Sequence, residues 1–242
     1  MPNFLKGATP SPRHRLAAAI PHTISSPIVP VPQNFLWKPA KISMWGNDVH
    51  GDCVTAEEAF AKACHSPEFF IPDDEVIAWA TKNGVLEGTD LTTVLDLMQT
   101  GGFPQSGSTL NDGPPVSVDW TNPAILLDAI LWGPVKLGIA ADQLQPIVEA
   151  NPRDGWVATG FTPDNNEDHC VSCCGYGTLS WLAEQLGGTV PDGVSEFTPG
   201  YAIFTWDTIG IIDLPSFQAI TGEAWLRVPN TIVSPTSQEG SK

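Results

Sequence analysis

The sequence predicts an α+β fold, because helical patterns crowd its first half, β-prone runs fill its second, and the two do not alternate as βαβ units would. At 242 residues the chain is long enough for one domain with a substantial core. Residues 1–44 form an extended arm, since Pro recurs every few positions in SSPIVPVPQNFLWKPAK and no helix survives that spacing. Ile28, Val29, Val31, Phe35, Leu36 and Trp37 are too apolar for a free tail, so the arm is expected to pack on the body, residues 45–230. Residues 231–242 read as a flexible tail.

A helix of about 13 residues is expected from Cys53, where Val54, Ala56, Ala59, Phe60, Ala63 and Cys64 make an apolar stripe with Glu57, Glu58 and Lys62 off it, and Pro67 ends it. PDDEVIAWATKNG follows as a helix opened by Pro72 and closed by Gly84. TDLTTVLDLMQTGG is a third, with Leu91, Val94, Leu95 and Met98 on one face. Residues 103–121 are loop-like, and Asn122 then caps a fourth helix that begins with Pro123. PVKLGIAA and EDHCVSCCGYGTL are strands, WLAEQLGG a helical insertion, and GYAIFTWDTIGII a β-prone run that closes the sheet.

Charge narrows the function. Eleven Lys and Arg against 27 Asp and Glu leave a net charge of -16 with no basic patch, which argues against nucleic-acid binding. No apolar run reaches the length of a membrane span, and Pro and His interrupt the only signal-like stretch, so a soluble cytoplasmic protein without a membrane partner is expected. Five cysteines, an odd number, suit a reducing compartment better than a disulfide scaffold. No Gly-rich phosphate loop is present and the His and Cys spacings are irregular for zinc, so no cofactor and no metal are expected. The oligomeric state is left open.

The chemistry gathers around WGNDVHGDCVTAEEA. A thiol becomes a nucleophile when it ionises, and Cys53 at a helix start faces free N–H groups and a positive dipole end that favour thiolate. Asp52 just before it reads as the N-cap. The run DHCVSCCGYG, residues 168–177, resembles the histidine strand of papain-like cysteine proteases, and Asn47 stands six residues before Cys53, where that family carries the Gln of its oxyanion hole. WGPVKLGI, FTWD and GEAWLRV extend the resemblance, in order, to papain-like proteins from bacteria and phages that share a Gly-Asn-Asp-x-x-Gly-Asp-Cys motif. This resemblance implies a helical half packed on a twisted antiparallel sheet half. Its implied site is Cys53 as nucleophile, His169 as general base and acid, and Asn47 with the Cys53 N–H as oxyanion donors. Where the family has an Asn to orient the histidine this chain reads FTWDTIG, and Asp207 is the expected orienter, with Trp206 shielding the pair.

Cysteine, histidine and an amide donor suffice for acyl transfer. The expected function is therefore a cysteine-dependent hydrolase or acyltransferase acting on an amide or peptide bond of a peptide or small acyl substrate through a thioester. A binding or structural module that has lost turnover is one rival. An acyltransferase or cyclase with the same triad and another acceptor is the second.

Overall fold

The computed structural model describes residues 4–24, 31–65, 68–105 and 108–227, so Ile28, Val29, Pro67 and the tail at 231–242 lie outside the described residues. Four helices stand where apolar periodicity predicts them: Cys53–Ala63, Asp73–Asn83, Leu91–Gly101 and Pro123–Trp132. Local chemistry sets their ends. Asp90 accepts from the Thr93 N–H and Asn122 from the Ala124 N–H, while Gly84 closes its helix in the left-handed conformation that a residue without Cβ adopts at little cost. Helices Arg13–Ala18, Gln145–Ala150 and Leu214–Ile220 have six or seven residues, too few for a periodic signal.

One sheet dominates. Its strands run in the order Val116–Ser117, Thr221–Leu226, Val135–Ile139, His169–Thr178, Pro199–Thr205, Thr208–Asp213 and Val157–Ala158. All these neighbours are antiparallel except the last pair. Phe35–Leu36 adds to the long central strand at Tyr176 and Gly175. The loop expected at 103–121 holds a small hairpin, Phe103–Gln105 with Ser108–Leu110, as well as the edge strand at 116–117.

Alternation along the central strand divides the core. Cys170 and Cys174 face a cluster with Phe60, Trp79, Leu95 and Phe204, whereas Val171 and Cys173 face Leu126, Ile130, Ile203 and Phe217 on the other side. The Cys53 helix lies inside the first cluster, with the Phe60 ring stacked on Phe204 at 4.1 Å. Every residue of that helix is buried, including the Glu57, Glu58 and Lys62 expected off its apolar stripe. Tertiary partners make this tolerable. Lys136 donates to Glu58 and to the Val54 carbonyl at 2.6 Å each, Arg227 pairs with Glu58 at 2.7 Å and donates to the Glu57 carbonyl at 2.8 Å, and Lys62 pairs with Asp112. Removing one partner from such a network strands the other charge, at a typical cost of about 3–5 kcal/mol. The helix that carries Cys53 is thus held on all sides.

The run 200–212 is not one strand. It folds back at Trp206 and Asp207, which both take positive φ, 46° and 59°, as the central residues of a two-residue hairpin turn closed by Thr205 and Thr208. Such turns favour Asn and Gly, so a Trp-Asp pair hid the break from sequence.

Candidate active site

Cys53 opens its helix and His169 opens the central strand against which that helix packs, and among the described residues no hydrogen bond joins the sulfur to the imidazole. The backbone N–H of Cys170, the residue after His169, favours the ionised form of the Cys53 sulfur and partly offsets its burial. His169 pairs with Ile139 across the sheet and is wholly buried. Its Nε2 lies 2.7 Å from the Thr205 Oγ1. Its Nδ1 has no hydrogen-bond partner among the described residues. With Nε2–H donated to the threonine hydroxyl, Nδ1 carries the lone pair.

Asp207 does not reach the histidine. It is exposed at the hairpin tip, and Thr205, one side of the turn, takes the position expected of it. The turn is the cause: a regular strand points alternate residues to opposite faces, but positive φ at 206 and 207 re-aims both. The Trp206 ring consequently lies flat on the imidazole, with centroids 4.1 Å apart and planes 15° from parallel. Trp206 shields His169 as expected, although its partner is Thr205.

The N-terminal arm runs through this site. The Leu5 carbonyl accepts from the Asn47 Nδ2 at 3.1 Å and from the Trp206 Nε1 at 3.0 Å, and the Leu5 N–H returns to the Asn47 carbonyl at 3.3 Å. Asn47 also donates to the His50 carbonyl at 3.1 Å, which fixes its amide. Phe4 meets Trp206 edge-on at 5.3 Å. The Gly7 N–H acts on the Cys53 sulfur in the direction that favours thiolate, and the Gly7 carbonyl accepts from the Thr89 N–H at 2.9 Å. Ala8–Thr9 then pairs in parallel with Thr89–Asp90, and Glu223 holds the Ser11 N–H at 2.9 Å. Asn47 therefore binds a peptide carbonyl, while Cys53 lies under the arm at 1% exposure.

With the geometry in view, the chain was compared with known proteins. No family model and no curated protein matches it. Solved structures do. The chain is similar to the Amb a 11 cysteine protease, a ragweed pollen allergen, in its proform, at 12% identity and a TM-score of 0.63 over 94% of this chain and 75% of that one. Xylellain, a cysteine protease from Xylella fastidiosa, is 13% identical with a TM-score of 0.62 over 94% of this chain and 96% of that one. A cysteine protease of Carica candamarcensis is 14% identical with a TM-score of 0.58 over 83% and 100%.

The fold is papain-like.

Within the papain-like fold this chain's electrostatics belong to a covered site. Burial pushes the Cys53 thiol up to about 12, so beneath the arm it is a thiol and not the thiolate expected from its helix start. Burial also holds His169 neutral by lowering it to about 3, with the Lys6 ammonium adding to the effect. Asp52 opens the helix without making a side-chain cap bond, and burial raises it to about 8. Among the described residues no group of three or more His, Cys, Asp or Glu is arranged to hold a metal ion, and no helix is long and apolar enough to cross a membrane.

Three buried carboxyls set a pH dependence. Burial raises Asp52 and Glu57 to about 8 each, and Glu167, buried beside Glu223, is pushed well up. A carboxyl raised on folding stabilises fully below its unfolded value, and that contribution is lost as pH rises through its folded value. His169, lowered from 6.5, works in the opposite sense, but only below 6.5. Between pH 6.5 and pH 8 the carboxyls act alone, so the urea midpoint is expected to fall across that window. Asp52→Asn should flatten the decline, and a midpoint that rises with pH would show that these carboxyls ionise in the folded protein.

Sequence reasoning missed Thr205, Leu5, Lys6 and Gly7. Thr205 had a signal in its place at the end of the strand YAIFT. The arm residues had none, because nothing local distinguishes a segment that will lie in a cleft.

Proposed function

We propose that this chain is a cysteine-dependent hydrolase that cleaves a peptide or amide bond through a thioester acyl-enzyme. One observation carries the reading: a peptide backbone already lies over the Cys53 helix start, its Leu5 carbonyl accepting from the Asn47 amide at 3.1 Å and its Gly7 beside Gly51. Peptide-like groups are what this cleft accommodates.

The chemistry follows from the same atoms. Once the arm is displaced, His169 Nδ1 takes the Cys53 thiol proton as the sulfur bonds to the scissile carbonyl carbon. The oxygen, now an oxyanion, is stabilised by the Asn47 amide and the Cys53 N–H at the helix start. His169 returns the proton to the leaving nitrogen as the C–N bond breaks, leaving a thioester that water hydrolyses by the same relay. Thr205 holds the imidazole in the required tautomer throughout, and the Trp206 ring keeps water off that hydrogen bond. An acyltransferase differs only in replacing water with another acceptor.

The test compares two substitutions in the full chain by turnover of an internally quenched peptide library. Thr205→Val should lower kcat by about ten- to a thousand-fold with little change in KM and should alter the pH profile of the histidine, as expected when an orienting partner is lost. Asp207→Ala should leave kcat within about two-fold, because the carboxylate lies outside the site. If Asp207→Ala cripples turnover while Thr205→Val spares it, the assignment of the orienter is reversed. Absence of turnover and of any trapped thioester from every peptide, with Cys53 shown open to alkylation, would remove the hydrolase reading.

A further inference from the structure

We propose that Asp142 and Asp168 form a subsite for the basic side chain, lysine or arginine, of a peptide bound across Cys53 and His169. The inference rests on the hydrolase reading and adds a charge preference to it. At present the arm's own Lys6 fills the subsite, its ammonium paired with the Asp142 carboxylate and, at 2.7 Å, with the Asp168 Oδ2. Lys6 stands between the two backbone groups that the catalytic side chains hold, the Leu5 carbonyl and the Gly7 N–H. A side chain that leaves a bound peptide at that point reaches these carboxylates.

The receiving groups are built in. Asp168 immediately precedes His169, its backbone N–H is tied to the Ile139 carbonyl at 3.0 Å, and its Oδ1 accepts the Ala141 N–H at 2.9 Å, which leaves Oδ2 free to meet a cation. Asp142 is 66% exposed and open to an incoming chain. The subsite adjoins His169 in sequence, and the Lys6 ammonium held there acts on the imidazole.

As an anchor for the arm the ion pair is of small value, since half-exposed pairs contribute little to stability and the arm has strand pairing and the Glu223 contact besides. As a recognition element it is well placed, because the net charge of -16 draws cationic peptides and fixed carboxylates select among them.

Alkylation of Cys53 by iodoacetamide in the full chain tests this without requiring turnover. Lys6→Arg should keep the thiol protected, Lys6→Met should speed alkylation by no more than about five-fold, as a half-exposed pair implies, and Lys6→Glu, which sets a third carboxylate against Asp142 and Asp168, should speed it further. In the Lys6→Met chain an acetylated Leu-Lys-Gly peptide amide should protect Cys53 at about ten-fold lower concentration than its norleucine counterpart, an advantage that shrinks with salt and vanishes in Asp142→Asn. Equal alkylation of all Lys6 variants, or equal protection by the two peptides, overturns the subsite. Selective protection by the lysine peptide together with no cleavage of any peptide sustains the subsite and overturns the hydrolase reading, so the two fail separately.

Discussion

Gly7→Val is expected to uncover the Cys53 thiol. A Cβ on Gly7 would fall 1.6 Å from the Gly51 carbonyl oxygen and 2.5 Å from its carbon, both backbone atoms of the segment that leads into the Cys53 helix. That helix is locked by the buried charges of Glu58, Lys136 and Arg227, so it cannot yield, and the arm must lift instead. Lifting admits water to the sulfur, and relief of burial, the largest cause of the shift, outweighs loss of the Gly7 N–H that favours thiolate, so the thiol pKa falls back from about 12. The rate of Cys53 alkylation near neutral pH should rise by about a hundred-fold or more, because the thiol becomes both accessible and easier to ionise. Peptide turnover should rise with it. The fold should persist, because among the described residues the arm beside Gly7 contributes only Phe4 and Ala8 to the two core clusters, and mass mapping of the alkylated site identifies the residue. An unchanged rate, or labelling at Cys64 first, would mean that the arm does not govern access to Cys53.

Cys53→Ala in the same open form should abolish turnover, by about four orders of magnitude or more, as removal of a nucleophile does. His169→Ala should cost a similar amount, and the double variant little beyond either, since nucleophile and base act as a unit. Stability should change modestly in Cys53→Ala, because the deleted sulfur is small and leaves a small cavity. Additive losses would instead mean that cysteine and histidine contribute to separate steps.

Thr205 and Asp207 show where local reading stops. From FTWDTIG the strand end was legible, and so was the need for a group to orient His169. Which residue supplies it depended on a hairpin turn through Trp206 and Asp207 at positive φ, a conformation those residue types rarely signal. Glu57, Glu58 and Lys62 make the same point in packing. Their charges marked them for solvent, and only residues far away in sequence make the burial of Glu58 and Lys62 tolerable, Lys136 and Arg227 for the first and Asp112 for the second, while Glu57 is buried with its carboxyl raised to about 8.

The sequence by itself determined the helical half, its caps, the sheet half and the chain order of Asn47, Cys53 and His169, because periodicity, cap chemistry and motif spacing act over a few residues and are written there. Long-range packing decided the rest: that Thr205 holds the imidazole, that buried ion pairs clamp the Glu58–Lys62 face of the Cys53 helix, and that the arm from Leu5 to Gly7 lies over the thiol. These depend on contacts between segments distant along the chain, whose partners are chosen by the packing of the whole fold and leave no periodic trace in either segment.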